Sequence, residues 1–223
     1  MTKAILLKEW VKLGKPWLGL LAATLLAAAY LCLRVRHVGE MRSMQVVWDA
    51  WIQKGWMFCE AFRWAPVLSG AAVAALQFLP EVSGRRMRIA LHLPCPELRM
   101  LLLHLLVGLA LALAAPLAGL ALLLGWSALI LPAEMTWDLL QHGAYWLLAG
   151  HFTYHFAAAA LLESRLVNRL AWLAAGAGMV DLCLLPQVHD SGIRLLPLLA
   201  LAAVPALFVP LLSGLRLRKG LCT

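Results

Sequence analysis

Residues 100–132 read MLLLHLLVGLALALAAPLAGLALLLGWSALILP, thirty-three positions without one Asp, Glu, Lys or Arg. A helix needs about 20 apolar residues to cross the hydrocarbon of a bilayer, so this stretch alone points to a membrane. Lipid offers no water to backbone N–H and C=O groups, which leaves helices and closed barrels as the only spanning structures. Leu and Ala run continuously here and do not alternate with polar residues, so the segment reads as helix.

Outward from that stretch the pattern repeats. The chain is 63% hydrophobic and 13% charged, with a mean hydropathy of +0.83. Uncharged runs predict six spans: Pro16 to Leu33, Trp64 to Leu79, Met100 to Leu131, Leu139 to Leu162, Leu170 to Val188 and Leu195 to Leu215. The third is long enough to tilt, or to bend at Pro116 where the helix loses a backbone bond. The expected fold class is all-α, a polytopic six-helix transmembrane bundle forming a single domain over residues 1–223. Residues 1–15 add Lys3, Lys8, Lys12 and Lys15 to an apolar stripe of Leu6, Trp10 and Leu13 that continues to Trp17, which predicts an N-terminal amphipathic helix lying at the membrane interface. An uncleaved anchor is expected there, because no small-residue cleavage site follows.

Charge orients the bundle. The formal net charge is +8, and in a membrane protein its distribution among loops carries more information than its total; nucleic acid is therefore not an expected partner. With six spans, thirteen Lys and Arg fall on the side of the termini and six on the other, so both termini are expected in the cytoplasm of a cell with this chain in its inner membrane. Five of the six opposing cations lie in the outer segment 34–63, where Met41, Met44, Trp48, Trp51 and Ile52 recur near helical spacing and Trp56 and Trp64 suit an aromatic belt. This predicts an amphipathic helix at the outer interface.

The loop at residues 80–99 has physics of its own. Pro80 is preorganised for a first helical turn, Glu81 suits the positive end of a helix dipole, and Pro94 with Pro96 forbids helix beyond about Leu93. Arg85, Arg88 and His92 share one face. Arg86 adds a further cation, and Gly84 costs helix stability unless a close approach requires it. The expectation is a short cytoplasmic helix able to grip a soluble partner; the bland alternative is a basic loop that meets anionic headgroups.

In Glu81, Gly84, Leu91 and Pro94 this loop resembles the first cytoplasmic loop of the six-span permease subunits of ABC exporters of the second class. The resemblance implies a permease that dimerises with a second copy and recruits a separate ABC ATPase. The loop helix would seat on that ATPase, and Glu81, Arg85, Arg86 and Arg88 would transmit its movement. ATP and Mg would sit on the partner, with no cofactor in this chain. Consistently, no G-x-x-x-x-G-K-[ST] loop and no H-E-x-x-H occurs, so the chain is expected to be a transport subunit without catalytic residues. The chain departs from the family in carrying its outer mass after span one, with only a short loop, Gln187 to Arg194, between spans five and six.

Polar residues inside spans are functional candidates by default. Asp181 in span five is expected level with His142 and Tyr145 of span four. His151 and His155 share a face, and His104 in span three lies at a depth comparable with His155, which leaves open a rival class, a haem-binding membrane subunit of an electron-transfer complex. An intramembrane protease ranks third, for want of a serine-histidine or metal motif. Ala171 with Ala175, and Ala174 with Gly178, give small-x-x-x-small spacing for close helix packing, within the chain or between copies. The five cysteines include no C-x-x-C and predict no metal site.

Overall fold

The computed structural model describes residues 2–83, 97–185 and 195–218, and all of its regular structure is helical. The expected coupling residues Gly84, Arg85, Arg86, Arg88, Leu91 and Pro94 lie outside the described residues. Helix α1 spans Thr2–Arg42, α2 Met44–Trp48, α3 Trp64–Ser83, α4 Glu97–Ile130, α5 Ala133–Leu162, α6 Leu166–Leu184, α7 Leu196–Ala206 and α8 Val209–Arg218. Five stretches are long and apolar enough to cross a membrane, within α1, α3, α4, α6 and the α7–α8 pair, as in a multi-pass membrane protein.

Helix α5 is the exception, and its position explains why. It packs against α3, α4, α6, α7 and α8. A helix enclosed by other helices need not be apolar on the faces they cover, and α5 accordingly buries Asp138, His151, Tyr154 and His155 beside Leu139, Phe152 and Leu162. Two glycines allow α3 and α5 to meet backbone to backbone. A Cβ on Gly70 would lie 2.5 Å from the Gly150 carbonyl oxygen, and one on Gly150 would lie 2.8 Å from that of Pro66.

The backbone gap at Pro116 is filled by a side chain from a neighbouring helix. Pro116 has no N–H to offer the carbonyl of Ala112 four residues back, and Ser69 Oγ of α3 donates to that oxygen at 2.7 Å. Thr24 Oγ1 and Trp17 Nε1, both from α1, donate to the nearby carbonyls of Ala115 at 3.2 Å and Leu111 at 2.9 Å. The last predicted span is broken rather than continuous. After Pro205 the chain tightens, with the Leu207 N–H donating to Val204 O at 3.2 Å and the Phe208 N–H to Pro205 O at 3.0 Å, before α8 resumes.

Three predicted boundaries change. Residues 2–42 form one unbroken helix, so 1–15 is not set apart from span one as a separate interfacial element; the Leu13 face of its stripe is buried, along with Glu9. Pro80 does not begin a loop helix but lies in the last turn of α3, which ends at Ser83. The segment 34–63 is not one amphipathic helix: α1 extends to Arg42, Ser43 at φ 78 reverses the chain, α2 opens into a π-turn over Asp49–Gln53, and a 3-10 turn over Glu60–Arg63 leads into α3. Val47, Trp51 and Phe62 of this segment sit in the core of that end of the bundle with Leu123, Met135 and Trp146.

Candidate functional site

At the end of the bundle opposite to the 34–63 segment, four helices converge on a buried polar lattice. Gln77 of α3 is its hub and is wholly inaccessible. Its Nε2 donates to Glu9 Oε2 of α1 at 3.0 Å and to the His104 carbonyl of α4 at 2.8 Å, while its Oε1 accepts from the Tyr154 hydroxyl of α5 at 2.7 Å. Gly108 leaves the space for this: a Cβ there would lie 2.0 Å from Gln77 Oε1 and 2.1 Å from the Tyr154 oxygen. Glu9 is equally inaccessible and receives Lys12 Nζ at 2.9 Å, with His104 Nε2 at 3.5 Å. A buried carboxylate is tolerable only when charges and donors surround it, and Glu9 has both.

Glu81 extends the lattice toward the loop. Its position in the last turn of α3 is electrostatically adverse, since helix C-termini favour cations. Two lysines of α1 compensate: Lys8 Nζ lies 2.8 Å from Glu81 Oε1 and Lys12 Nζ 3.2 Å from the same oxygen. Lys12 also donates to the Gln77 carbonyl at 3.1 Å. Glu81 is therefore an internal clamp between α1 and α3, buried to 3% exposure, and not a side chain displayed for a partner. Its second oxygen, Oε2, is buried with no partner among the described residues.

The intramembrane candidates separate. His142 and Tyr145 do come together, lining a cavity of about 220 Å³ with Glu60, Arg63 and Cys183. Asp181 does not join them: it is exposed on α6, two residues from the inward-facing Cys183 and so on the opposite side of the helix. His151 is explained by the break after Pro205. There the Leu207 N–H turns to Val204, leaving the Ala203 carbonyl free of its usual helical donor, and His151 Nε2 donates to it at 3.0 Å. His155 stacks on His151 with ring centroids 4.4 Å apart and directs Nδ1 to the His151 carbonyl at 2.9 Å; its Nε2 is buried with no partner among the described residues. His104 directs Nδ1 to Met100 O at 2.9 Å and faces Glu9 with its other nitrogen. Among the described residues no cluster of three or more metal-ligating side chains occurs.

Ala171, Ala174, Ala175 and Gly178 are all exposed on α6, and Gly178 has open space where a Cβ would be. The glycine that packs within the chain is Gly176, whose Cβ would lie 2.6 Å from Phe156 Cβ. The small-residue stripe thus has no internal partner among the described residues.

Residues missed by sequence reading had faint signals. Gln77 interrupts an otherwise apolar run, and an amide there implies a partner on another helix. Glu9 is the one acid among the first fifteen residues. Spacing alone suggests Trp48 and Trp51 as interface residues, yet the Trp51 indole N–H donates to Asp138 Oδ2 at 2.8 Å and that of Trp48 to Glu134 Oε2 at 3.0 Å, fastening the 34–63 segment onto the start of α5. No protein-family model, curated protein or solved structure matches the chain.

Proposed function

We propose that the chain is the membrane-spanning permease subunit of an ATP-driven ABC exporter. It moves its substrate by alternating access, driven by a separate ATPase that holds ATP and Mg, and it works as a dimer in the cell membrane. In this reading α5 is a sixth crossing, both termini are cytoplasmic, and residues 80–99 carry the coupling loop. The observation that carries the reading is the Glu81 clamp. In the last turn of α3, where the candidate loop begins, Glu81 is tied to Lys8 and Lys12, and through Lys12, Glu9 and Gln77 to α4 and α5. A push on the loop therefore meets a lattice of four helices that moves as one body, where an isolated hairpin would absorb it locally.

The Arg85, Arg86 and Arg88 side chains then grip the ATPase, and Glu81 positions α3 beneath them. The exposed stripe on α6 receives the second permease copy, where small side chains allow close backbone approach. The test is copurification of the full-length tagged chain from its own cells in mild detergent. An ATP-hydrolysing protein is expected to accompany it and to be lost when Arg85, Arg86 and Arg88 are replaced together by Ala; undiminished copurification with the triple variant would overturn the coupling role.

A further inference from the structure

The 34–63 segment carries five Lys and Arg, an unusual load for the side of a membrane protein with fewer cations. Three are neutralised by acids of the same segment: Arg36 lies 2.8 Å from Glu40, Lys54 3.1 Å from Asp49, and Arg63 is paired with Glu60. Arg42 is exposed in the last turn of α1, where the helix dipole favours a cation. Arg34 has none of these arrangements. It is exposed on α1, with no acid within ion-pair distance among the described residues.

Arg34 lines a cavity of about 460 Å³ whose other walls include Trp56, Phe58 and Trp64 and the Glu60–Arg63 pair. Trp56 and Trp64 are 71% and 48% exposed at its mouth, and the Arg63 guanidinium lies 5.4 Å from the centroid of the Trp64 ring. With Glu60 balanced by Arg63, the cavity has one uncompensated positive charge beside an aromatic wall. Indoles at this level suit the boundary between headgroups and acyl chains, and a guanidinium forks onto carboxylate or phosphate oxygens.

We infer that this cavity binds an anionic amphiphile, with its phosphate or carboxylate on Arg34 and the first part of its chain against Trp56, Phe58 and Trp64. The site is independent of the proposed coupling to an ATPase. The same headgroup chemistry comes from a bilayer phospholipid or from a free single-chain amphiphile. A second cavity, the one that holds His142 and Tyr145, shares Met57, Glu60 and Arg63 with the first. The Glu60–Arg63 pair therefore lines both cavities.

The experiment is native mass spectrometry of the full chain in dodecyl maltoside, titrated separately with phosphatidylglycerol, phosphatidylcholine, dodecyl phosphate and inorganic phosphate. At least one of the two anionic amphiphiles is expected to bind about tenfold or more tightly than phosphatidylcholine, and which one does so identifies the source. Arg34→Gln removes that preference, while Arg36→Gln, an equally superficial change two residues away, keeps it. Retained preference in R34Q, equal loss in R36Q, phosphatidylcholine binding as tightly as both anionic amphiphiles, or inorganic phosphate binding as tightly as the preferred one would each overturn the assignment.

Discussion

Replacing Gln77 by Leu tests the buried lattice where it is most concentrated. The substitution puts an apolar residue of similar size in α3 and removes three hydrogen bonds: one to the Glu9 carboxylate at 3.0 Å, one to the His104 carbonyl at 2.8 Å and one from the Tyr154 hydroxyl at 2.7 Å. A bond to a charged group contributes about 1.5–3 kcal/mol and a neutral one about 0.5–1.5, while membrane helix pairs average nearer about 0.6 kcal/mol because the separated helices find other partners. Together these give a loss of roughly 2–4 kcal/mol. For a chain of this length that lowers the melting temperature by roughly 4–15 °C. Tyr154→Phe costs less, because it deletes one donor, and the double variant is expected to be less destabilised than the two singles combined, since both remove the Tyr154–Gln77 bond. Thermal unfolding in dodecyl maltoside of variants carrying Cys95→Ser and Cys222→Ser, followed by a thiol-reactive fluorophore, reads this directly, because the remaining Cys32, Cys59 and Cys183 are buried until the bundle opens. A Q77L melting temperature within about 1 °C of the parent, or strictly additive losses, would refute the lattice as a coupled unit.

Further outcomes follow from packing and surface. Gly150→Ala is expected to destabilise by about 1–3 kcal/mol, since its Cβ meets the Pro66 backbone; Gly178→Ala, which meets nothing, is expected to change stability by less than about 0.5 kcal/mol in the same melts. Trp51→Phe removes the buried bond to Asp138 and is expected to cost about 1.5–3 kcal/mol, more than Trp48→Phe at the exposed Glu134 bond, as measured by melting and by protease sensitivity of residues 43–63. Cysteine at position 174 or 178 is expected to form a disulfide with a second copy in native membranes, seen as a dimer on non-reducing gels; monomer alone under oxidant would speak against α6 as the dimer face.

Length and apolarity were enough to read α3, α4, α6 and the α7–α8 pair as crossings, because lipid imposes both on any exposed span. They misjudge what lies between. The lysines of residues 1–15 look like a surface segment, yet α1 runs on through Pro16, and Lys12 pairs with Glu9 on its own helix and with Glu81 across the helix pair. Pro80 reads as a helix start by local preference, but α3 runs through it to Ser83, and Glu81 beside it pairs with Lys8 and Lys12 of α1, partners that local sequence does not reveal. Depth along the span sets Asp181 level with His142 and Tyr145 without telling whether it faces the interior. Periodicity likewise identified the Ala171 to Gly178 stripe without revealing that the chain itself leaves it uncovered. His151 was legible as polar but not as a plug for a helix break, because that break depends on Pro205 in a segment some fifty residues away.

The most direct test of the coupling loop uses its own Cys95. Cys32, Cys59 and Cys183 are buried, and burial pushes the Cys59 thiol up to about 12, so with Cys222→Ser a membrane-impermeant maleimide is expected to report on Cys95 alone. In native membranes it should label Cys95 from the cytoplasmic side only, in inside-out vesicles and not in intact cells, at a rate that changes when ATP and vanadate trap the ATPase. Labelling from outside the intact cell, or a rate indifferent to nucleotide, would contradict the assignment of residues 80–99 as the point where an external ATPase drives this bundle.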